Sequence, residues 1–390
     1  MKKILSILFF ISFVFQIFPQ NKDSKIKFIK GNIVDKTKAI KESTGEDSYW
    51  LAEKAIQFAL DNKEILGNDR ELDALVVSAI LTITPEYVAS ADKLSQAEIL
   101  FNFTKLFNIF SSSNTVQIAV LSKILLLKDS IQTTDFTEEL NKYLQSDGIA
   151  TADKSVLKSV ISTLESIGNN KSFNILFSLY INPEFESVQN ELETTLIKLA
   201  PNYIDEILYI INEKDIAKNK PLFEKIVKNS KISKNNLCEI AENLLNSSIL
   251  YVENSTEKDD FTKLQIEVLQ VLSSNNWTRG SSSAISFFIF AKDKFTNGLI
   301  SEEEMIKIVS SLINVAPIES ISPLVSYLVE LNSLTEMGKS VSIPVVEAVI
   351  KTLGAIGNKS AFDSLLGVTY LNYPESVLSA AREALAGLKW

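Results

Sequence analysis

The chain of 390 residues contains no histidine and only one cysteine, Cys238. Without histidine it lacks the commonest general base, the Ser-His and Cys-His nucleophile pairs and the commonest zinc ligand. A single cysteine allows neither an intrachain disulfide nor a cysteine-based metal cluster. Cys238 stands in an apolar helical pattern, which favours a small core residue over a reactive thiol. We therefore expect no catalytic, cofactor-binding or metal-binding residues. An enzyme that uses only carboxylates, Lys, Ser or Tyr remains the alternative.

Glycine and proline are also scarce, at 12 and 9 residues. So few turn-forming residues argue against a many-stranded β protein and favour long helices with short connections. Apolar residues make up 46% of the chain and charged residues 22%, which is typical of a globular protein. No segment shows a convincing alternating strand pattern, so the composition predicts an all-α fold.

Positive charge is in short supply overall, since the net charge is −9. An acidic chain is a poor candidate for a nucleic-acid binder and favours a protein partner with a basic surface. The charge is uneven, because the segment from Lys22 to Lys41 holds seven lysines against Asp23 and Asp35. The rest of the chain is therefore more acidic than the total suggests.

Residues 1–20 resemble an export signal. Lys2 and Lys3 form a short positive end, and the stretch from Ile4 to Phe18 is almost entirely apolar. This stretch is closer to a signal-peptide core than to a full membrane span of about 20 residues. We predict cleavage near Gln20 and a periplasmic or otherwise exported protein. If the signal is not cleaved, the protein is anchored in the inner membrane.

Residues 21–46 form a basic N-terminal segment in which Ile26, Ile29, Ile33 and Ile40 make a helical stripe over 26–42. The stripe predicts either a cap on the repeats that follow or a helix lying on a membrane surface. Membrane contact through residues 1–41 is thus an open possibility. From Asp47 onward the helical signal is nearly continuous. The predicted helices are 47–63, 70–83, 95–110, 114–127, 133–145, 153–167, 171–181, 186–199, 202–212, 220–229, 234–250, 258–273, 282–293, 301–314, 320–332, 342–356, 360–372 and 375–388.

The last 47 residues contain a repeated apolar stripe. Each stripe steps by four, four and three residues, which keeps its four side chains on one face of a helix. The two stripes are Val345, Val349, Leu353, Ile356 and Val377, Ala381, Leu385, Leu388. Identical faces at a fixed period are typical of stacked helical repeats, so we expect an α-solenoid of helical hairpins.

The same stripe recurs four times in the first half of the chain. The sets are Leu72, Val76, Ile80, Ile83; Val116, Val120, Ile124, Leu127; Val156, Val160, Leu164, Ile167; and Val188, Leu192, Leu196, Leu199. Shifting them by 189 residues gives four sets in the second half, in which only Gln265 is polar. They are the two sets already named, together with Phe261, Gln265, Leu269, Leu272 and Met305, Val309, Ile313, Ala316. We predict two related halves, 47–200 and 236–390, joined by a helical connector at 201–235. Chance matching in an apolar helical chain is the alternative.

The segment 344–390 resembles the HEAT repeat family, in the short bacterial variant named after phycobilisome lyases. The resemblance rests on the turn Leu353-Gly354-Ala355-Ile356-Gly357, on Leu365-Leu366, and on the alanine-rich stretch from Val377 to Leu388. It is weaker over 155–200, where Glu165 replaces Gly354. The family implies an α-solenoid that binds other proteins along its faces, and the lyase label implies no activity.

Two acidic stretches are candidate sites. Asp293 to Glu304 resembles an EF-hand calcium loop with Gly298 at its turn, but Phe295 stands where an oxygen ligand is needed. An Asn-Gly turn before a capped helix is the alternative, and we favour it. The run Glu302, Glu303 and Glu304 is typical of a helix first turn. Phenylalanines at 101, 103, 107 and 110, and at 287, 288 and 290, are expected in the core between repeats.

These patterns predict an exported, non-enzymatic protein-interaction scaffold of the bacterial cell envelope. The alternative is a membrane-tethered envelope structural or lipid-associated protein. The sequence names neither the partner nor the binding face, and it leaves the oligomeric state open.

Overall fold

The computed structural model describes residues 20–213, 216–254 and 261–389. Over these residues the protein is all-helical, with 21 α-helices, five short 3-10 helices and no β-strand. The chain divides into two compact units, with the boundary between Leu199 and Ala200. The all-α prediction is therefore confirmed for this part of the chain. The predicted signal segment 1–20 lies outside the described residues except for Gln20.

The first unit contains eleven helices. In chain order they are α1 Gln20–Lys30, α2 Ile33–Glu42, α3 Glu46–Leu66, α4 Arg70–Thr82, α5 Pro85–Ser90, α6 Lys93–Ile109, α7 Asn114–Leu127, α8 Thr134–Leu144, α9 Lys154–Ile167, α10 Asn170–Tyr180 and α11 Gln189–Leu199. Side chains cap several helix starts, as Asp69, Asp92 and Asp153 do by accepting hydrogen bonds from first-turn backbone N–H groups.

The second unit contains ten helices within its described residues. They are α12 Ile204–Glu213, α13 Ile216–Ile226, α14 Lys234–Asn254, α15 Thr262–Ser274, α16 Ser281–Thr296, α17 Glu302–Val315, α18 Ile321–Glu336, α19 Ile343–Ile356, α20 Phe362–Val368 and α21 Glu375–Ala386. The predicted connector 201–235 carries α12 and α13, which belong to this unit. The predicted boundaries of the two halves stay a prediction.

Helical hairpins are the building unit of both parts. In the first unit, α3 packs on α4, α6 on α7, α8 on α9 and α10 on α11. The second member of each hairpin carries an apolar stripe, and these stripe helices pack in chain order, α4 on α7, α7 on α9 and α9 on α11. In the second unit α15, α17, α19 and α21 follow the same order of contacts. Each unit thus contains an uninterrupted row of stripe helices.

The stripes supply the core of both units. In the eight sets, every residue is buried except Ile167, Ile313, Ile356 and Leu385, which are half-buried. Gln265, the one polar residue in the shifted sets, is fully buried, and its Nε2 donates to Ser248 Oγ at 3.2 Å. The four-four-three spacing therefore identified the buried face of each stripe helix.

The N-terminal segment differs from its prediction. The expected stripe over 26–42 is broken at Gly31, so that two helices form, and Asn32 caps the second by accepting from the Asp35 N–H at 2.9 Å. Ile26 and Ile29 are exposed while Ile40 is buried, so these side chains do not share one buried face. A single amphipathic helix over 26–42 was therefore wrong.

Other helix predictions also differ from the structure. The short helix α5 was missed, because Pro85 stands at its first position and its hydroxyl cap is Thr84, a combination that also occurs in loops. The helix predicted over 360–372 begins as a 3-10 turn and ends at Val368. Phe101 was expected in the core but is exposed, and Phe290 is only half-buried. The other five phenylalanines are buried as expected: Phe103, Phe107, Phe110, Phe287 and Phe288.

Candidate functional site

The calcium-loop candidate does not form a ligand loop. Asp293 lies inside α16, which continues to Thr296, so it does not face the later oxygens around a loop. Gly298 has φ of 71°, as an Asn-Gly turn requires. Ser301 then caps α17 in a capping box, with its backbone N–H donating to Glu304 Oε2 at 2.7 Å. Asp293 to Glu304 therefore comprises the last turn of α16, an Asn-Gly turn and the capped start of α17.

Two other groups singled out in the sequence, Glu303 and Cys238, have structural surroundings. Lys307 forms an ion pair with Glu303 at 2.6 Å, and this hydrogen bond lowers the pKa of the Glu303 carboxyl. Burial raises the pKa of the Cys238 thiol, and the charge of Glu242 adds to the effect, so the thiolate is disfavoured. Among the described residues, no group of His, Cys, Asp or Glu side chains is arranged to hold a metal ion.

Buried lysines are a feature that the sequence patterns did not reveal. The Lys123 ammonium donates to the carbonyl oxygens of Leu81, at 3.1 Å, and Ile83, and so satisfies the end of α4. Lys36 donates to the Phe28 carbonyl and lies 5.0 Å from the Phe28 ring centroid. Burial lowers the pKa of both lysines. Each ammonium is committed to backbone carbonyls, which indicates helix-end capping and not nucleophilic catalysis.

A groove on the surface of the second unit is a candidate binding site. It lies between the C-terminal ends of α17 and α19 and is bordered by Lys389, which stands three residues beyond the end of α21 at Ala386. Its volume is about 530 Å³. The lining residues are Ile313, Pro317, Ile318, Ile321, Ala355, Ile356, Gly357, Asn358, Lys359, Ser360 and Lys389. Two successive stripe helices, α17 and α19, and the segment after α21 therefore contribute to one depression.

The groove combines an apolar floor with a cationic rim. Ile318 is 75% exposed, and Ile313 and Ile356 are half-buried, so a sizeable aliphatic area faces solvent. Lys359 and Lys389 are exposed at the rim, and no described residue forms an ion pair with either of them. Exposed aliphatic area next to uncompensated charge is typical of a surface that binds a partner segment.

Backbone contacts hold the groove in shape. Gly357 ends α19 in the left-handed region, with φ of 71°, and a Cβ atom there would lie 3.1 Å from the Gly387 carbonyl oxygen. The Lys389 N–H donates to the Gly357 carbonyl at 2.8 Å, which joins the end of the chain after α21 to the turn after α19. Asn358 Oδ1 accepts from the Ser360 N–H at 2.8 Å. The position of Lys389 is therefore set by main-chain hydrogen bonding.

The matching positions of the first unit, 189 residues earlier, have a different chemistry. Pro317 and Ile318 correspond to Lys128 and Asp129, Ile321 to Gln132, and Ala355 to Ser166, whereas Ile313 and Ile356 correspond to Ile124 and Ile167. The rim differs as well, since Lys359, Ser360 and Lys389 correspond to Asn170, Lys171 and Ala200. The groove is therefore distinguished both by its apolar floor and by the positions of its lysines. This difference is readable in the sequence, but its meaning requires knowing that the turns after α17 and α19 lie side by side.

No protein-family model, curated protein or solved structure matches this chain. The HEAT-like resemblance thus rests on the residues that carry it. Among the residues that the structure describes, no helix is long and apolar enough to cross a membrane.

Proposed function

We propose that the protein is a non-enzymatic scaffold that binds another protein through the groove of its second unit. The observation that carries this proposal is the exposed aliphatic floor around Ile318 with Lys359 and Lys389 at its rim. Ile318 differs from a singly exposed side chain because it lines one groove with the half-buried Ile313 and Ile356, so that its exposed aliphatic area is part of a larger apolar surface. The groove instead offers the two features of an interface, an apolar centre and a polar border.

The architecture we propose is an α-solenoid of HEAT-like hairpins in two related halves. The support is the matching series of hairpins, in which α3 to α4 and α6 to α11 correspond in order to α14 to α21. Helix α9 and helix α19 are offset by the same 189 residues at both ends. In repeat proteins, each repeat contacts only the repeat before it and the repeat after it. The stripe helices of both units pack on one another in this order.

The groove favours a partner segment with an aliphatic side chain beside a carboxylate. The aliphatic group would cover Ile318, and the carboxylate would lie against Lys359 and Lys389. The acidic balance of the whole chain still favours a partner whose wider surface is basic. The net charge thus affects how fast the two proteins associate, and the groove determines which segment of the partner binds there. We place this activity in the bacterial envelope, because residues 1–20 resemble an export signal.

Affinity capture with crosslinking tests the proposal. The tagged protein is crosslinked in envelope extract, and captured proteins are quantified by mass spectrometry with crosslink mapping. We expect a reproducible partner whose crosslinks cluster around Lys359 and Lys389. The variant Ile318→Asp, which places a carboxylate in the apolar floor, should reduce capture of that partner by about tenfold or more.

The matched control is Ile65→Asp. Ile65 is 82% exposed at the end of α3 in the first unit, so this variant adds the same charge at a solvated aliphatic position outside the groove. It should capture the partner as the parent does. Equal capture by Ile318→Asp and the parent, or equal loss in both variants, would count against the groove as the binding site.

A further inference from the structure

The N-terminal helix pair α1 and α2 has a surface that the packing of the first unit does not use. Phe28 and Ile40 are buried and attach the pair to its neighbours, because α2 packs on both α3 and α4. On the outside, Ile26 is 52% exposed and Ile29 is 66% exposed, three residues apart on the same helix face. Aliphatic side chains therefore project from a part of the chain that is otherwise rich in lysine.

Some lysines of this helix pair have a partner within the protein, and others have no ion-pair partner among the described residues. Lys36 is turned inward, Lys25 forms an ion pair with Asp47, and Lys27 forms one with Glu42 at 3.2 Å. Lys30, Lys38 and Lys41 are exposed, and none of them has an ion-pair partner among the described residues. Three lysines are thus available for an external anionic group.

The unused lysines lie along adjacent grooves. Lys30 and Lys38 line a groove of about 560 Å³ between α1 and α2, together with Ile26. Asp35 and Glu42 line it too, but Glu42 is occupied by Lys27. Lys41 lines a second groove of about 630 Å³ with Arg70 of α4, and no described residue forms an ion pair with Arg70. Asp73 lines this groove too, and its carboxylate accepts a hydrogen bond from Ser113 Oγ at 2.7 Å. The cationic groups therefore extend across three neighbouring helices.

This basic surface stands out against an acidic chain. The segment from Lys22 to Lys41 carries a formal charge of +5, and removing it from the net −9 leaves −14 for the other residues. A ligand attracted to the α1–α2 surface must be anionic. It must also have room for aliphatic side chains, because Ile26 and Ile29 stand beside the lysines.

We propose that α1 and α2 dock on an anionic lipid surface, with Lys30, Lys38 and Lys41 against the headgroups and Ile26 and Ile29 between them. Lysines beside exposed aliphatic side chains are the pattern of helices that lie in a membrane interface. A nucleic acid would meet the lysines but would leave the isoleucines in water. The apolar run from Ile4 to Phe18 directly precedes α1 in the sequence, which would bring this surface to a membrane whenever the run is present.

Vesicle co-sedimentation of the full chain tests this proposal. Vesicles of phosphatidylcholine are compared with vesicles of phosphatidylcholine mixed with phosphatidylglycerol, so that any contribution of residues 1–19 to neutral lipid is measured separately. We expect stronger binding to the anionic vesicles, and this preference should fall as salt is raised. The triple variant Lys30→Gln, Lys38→Gln, Lys41→Gln should weaken anionic binding by at least about tenfold, since each basic residue near such a surface contributes about fivefold.

The control variant removes the same charge elsewhere. Lys154, Lys234 and Lys339 are exposed and have no ion-pair partner among the described residues, so Lys154→Gln, Lys234→Gln, Lys339→Gln is a matched set. It should keep nearly all of the anionic preference. Circular dichroism of both variants should show the parent's helix content. Equal binding to the two vesicle types, or equal loss in the two triple variants, would overturn the proposal.

Discussion

Tyr327 shows how burial changes the acidity of a single side chain in this protein. It is 3% exposed on α18, and its ring meets the Phe288 ring edge-on at 5.9 Å between centroids. Burial, followed by the charge of Glu330, raises the pKa of Tyr327 to about 12. The neutral hydroxyl is thus favoured in the folded state, and deprotonation costs more there than in the unfolded chain.

We therefore expect Tyr327 to contribute to loss of stability in alkali. Its folded-state pKa exceeds the unfolded value of about 10. The stabilising contribution is complete below pH 10 and is lost as the pH rises from about 10 through about 12. Urea unfolding across this window should show a shallower fall in the free energy of unfolding for Tyr327→Phe than for the parent. Tyr370→Phe, at an exposed position, is the control, and identical slopes for Tyr327→Phe and the parent would contradict the prediction.

At this scale the sequence identified burial better than chemistry. The stripe spacing placed Leu72, Val349 and Ala381 correctly in the core, because helical periodicity alone decides which face is covered. It could not place Lys123 there, since lysine is rarely buried and the carbonyls that it caps come from residues about 40 positions earlier. The groove residue Ile318 was missed for a related reason, because its neighbours come from a different hairpin.

Helices α19 and α21 pack closely in the second unit, because Gly354 of α19 has no side chain where Ala384 of α21 lies against it. A Cβ atom on Gly354 would lie 2.7 Å from the Ala384 Cβ and 2.9 Å from its Cα. The residue 189 positions before Gly354 is Glu165, which forms an ion pair with Lys198 at 2.9 Å. Glycine at 354 thus allows close helix packing, whereas glutamate at 165 makes a polar contact. An exposed ion pair of this kind stabilises a protein by at most about 1 kcal/mol.

We predict that Gly354→Ala destabilises the protein despite the higher helix propensity of alanine. The propensity gain is about 1 kcal/mol, whereas overpacking a tight contact typically costs about 1–3 kcal/mol. Chemical denaturation should therefore show a lower midpoint. Gly367→Ala is the matched control, because its Cβ would meet only the Asn332 side chain at 3.5 Å. The double variant Gly354→Ala, Ala384→Gly should recover part of the loss, and strict additivity would argue against the contact as the cause.

Element boundaries were predictable where a cap and a stripe coincide. Helix α7 begins and ends at the predicted residues, with Ser113 accepting from the Val116 N–H as its cap. Boundaries failed where the local signal was ambiguous, as at Gly31, whose break the isoleucine spacing concealed. The same holds for α20, which ends at Val368 although the apolar pattern continues.

At the scale of the whole molecule, the two units should lose stability separately. The last helix, α21, packs on α19 and α20 through Val377, Ala381 and Ala384, while its outer face carries the ion pair of Arg382 with Glu375. A polar outer face is what an end cap of a helical array requires. Removing residues 375–390 should then uncover α19 and weaken the second unit first.

Limited proteolysis followed by mass spectrometry measures this directly. In the variant lacking residues 375–390, we expect new cleavage within α14 to α20, while α3 to α11 keep the protection of the parent. Because repeat units are stabilised mainly by their neighbours, the effect should decline with distance from the deleted helix. The reciprocal deletion of residues 1–30 removes α1 and should sensitise the first unit instead. If either deletion lowers protease resistance equally in both units, the protein unfolds as one cooperative body and the modular interpretation fails.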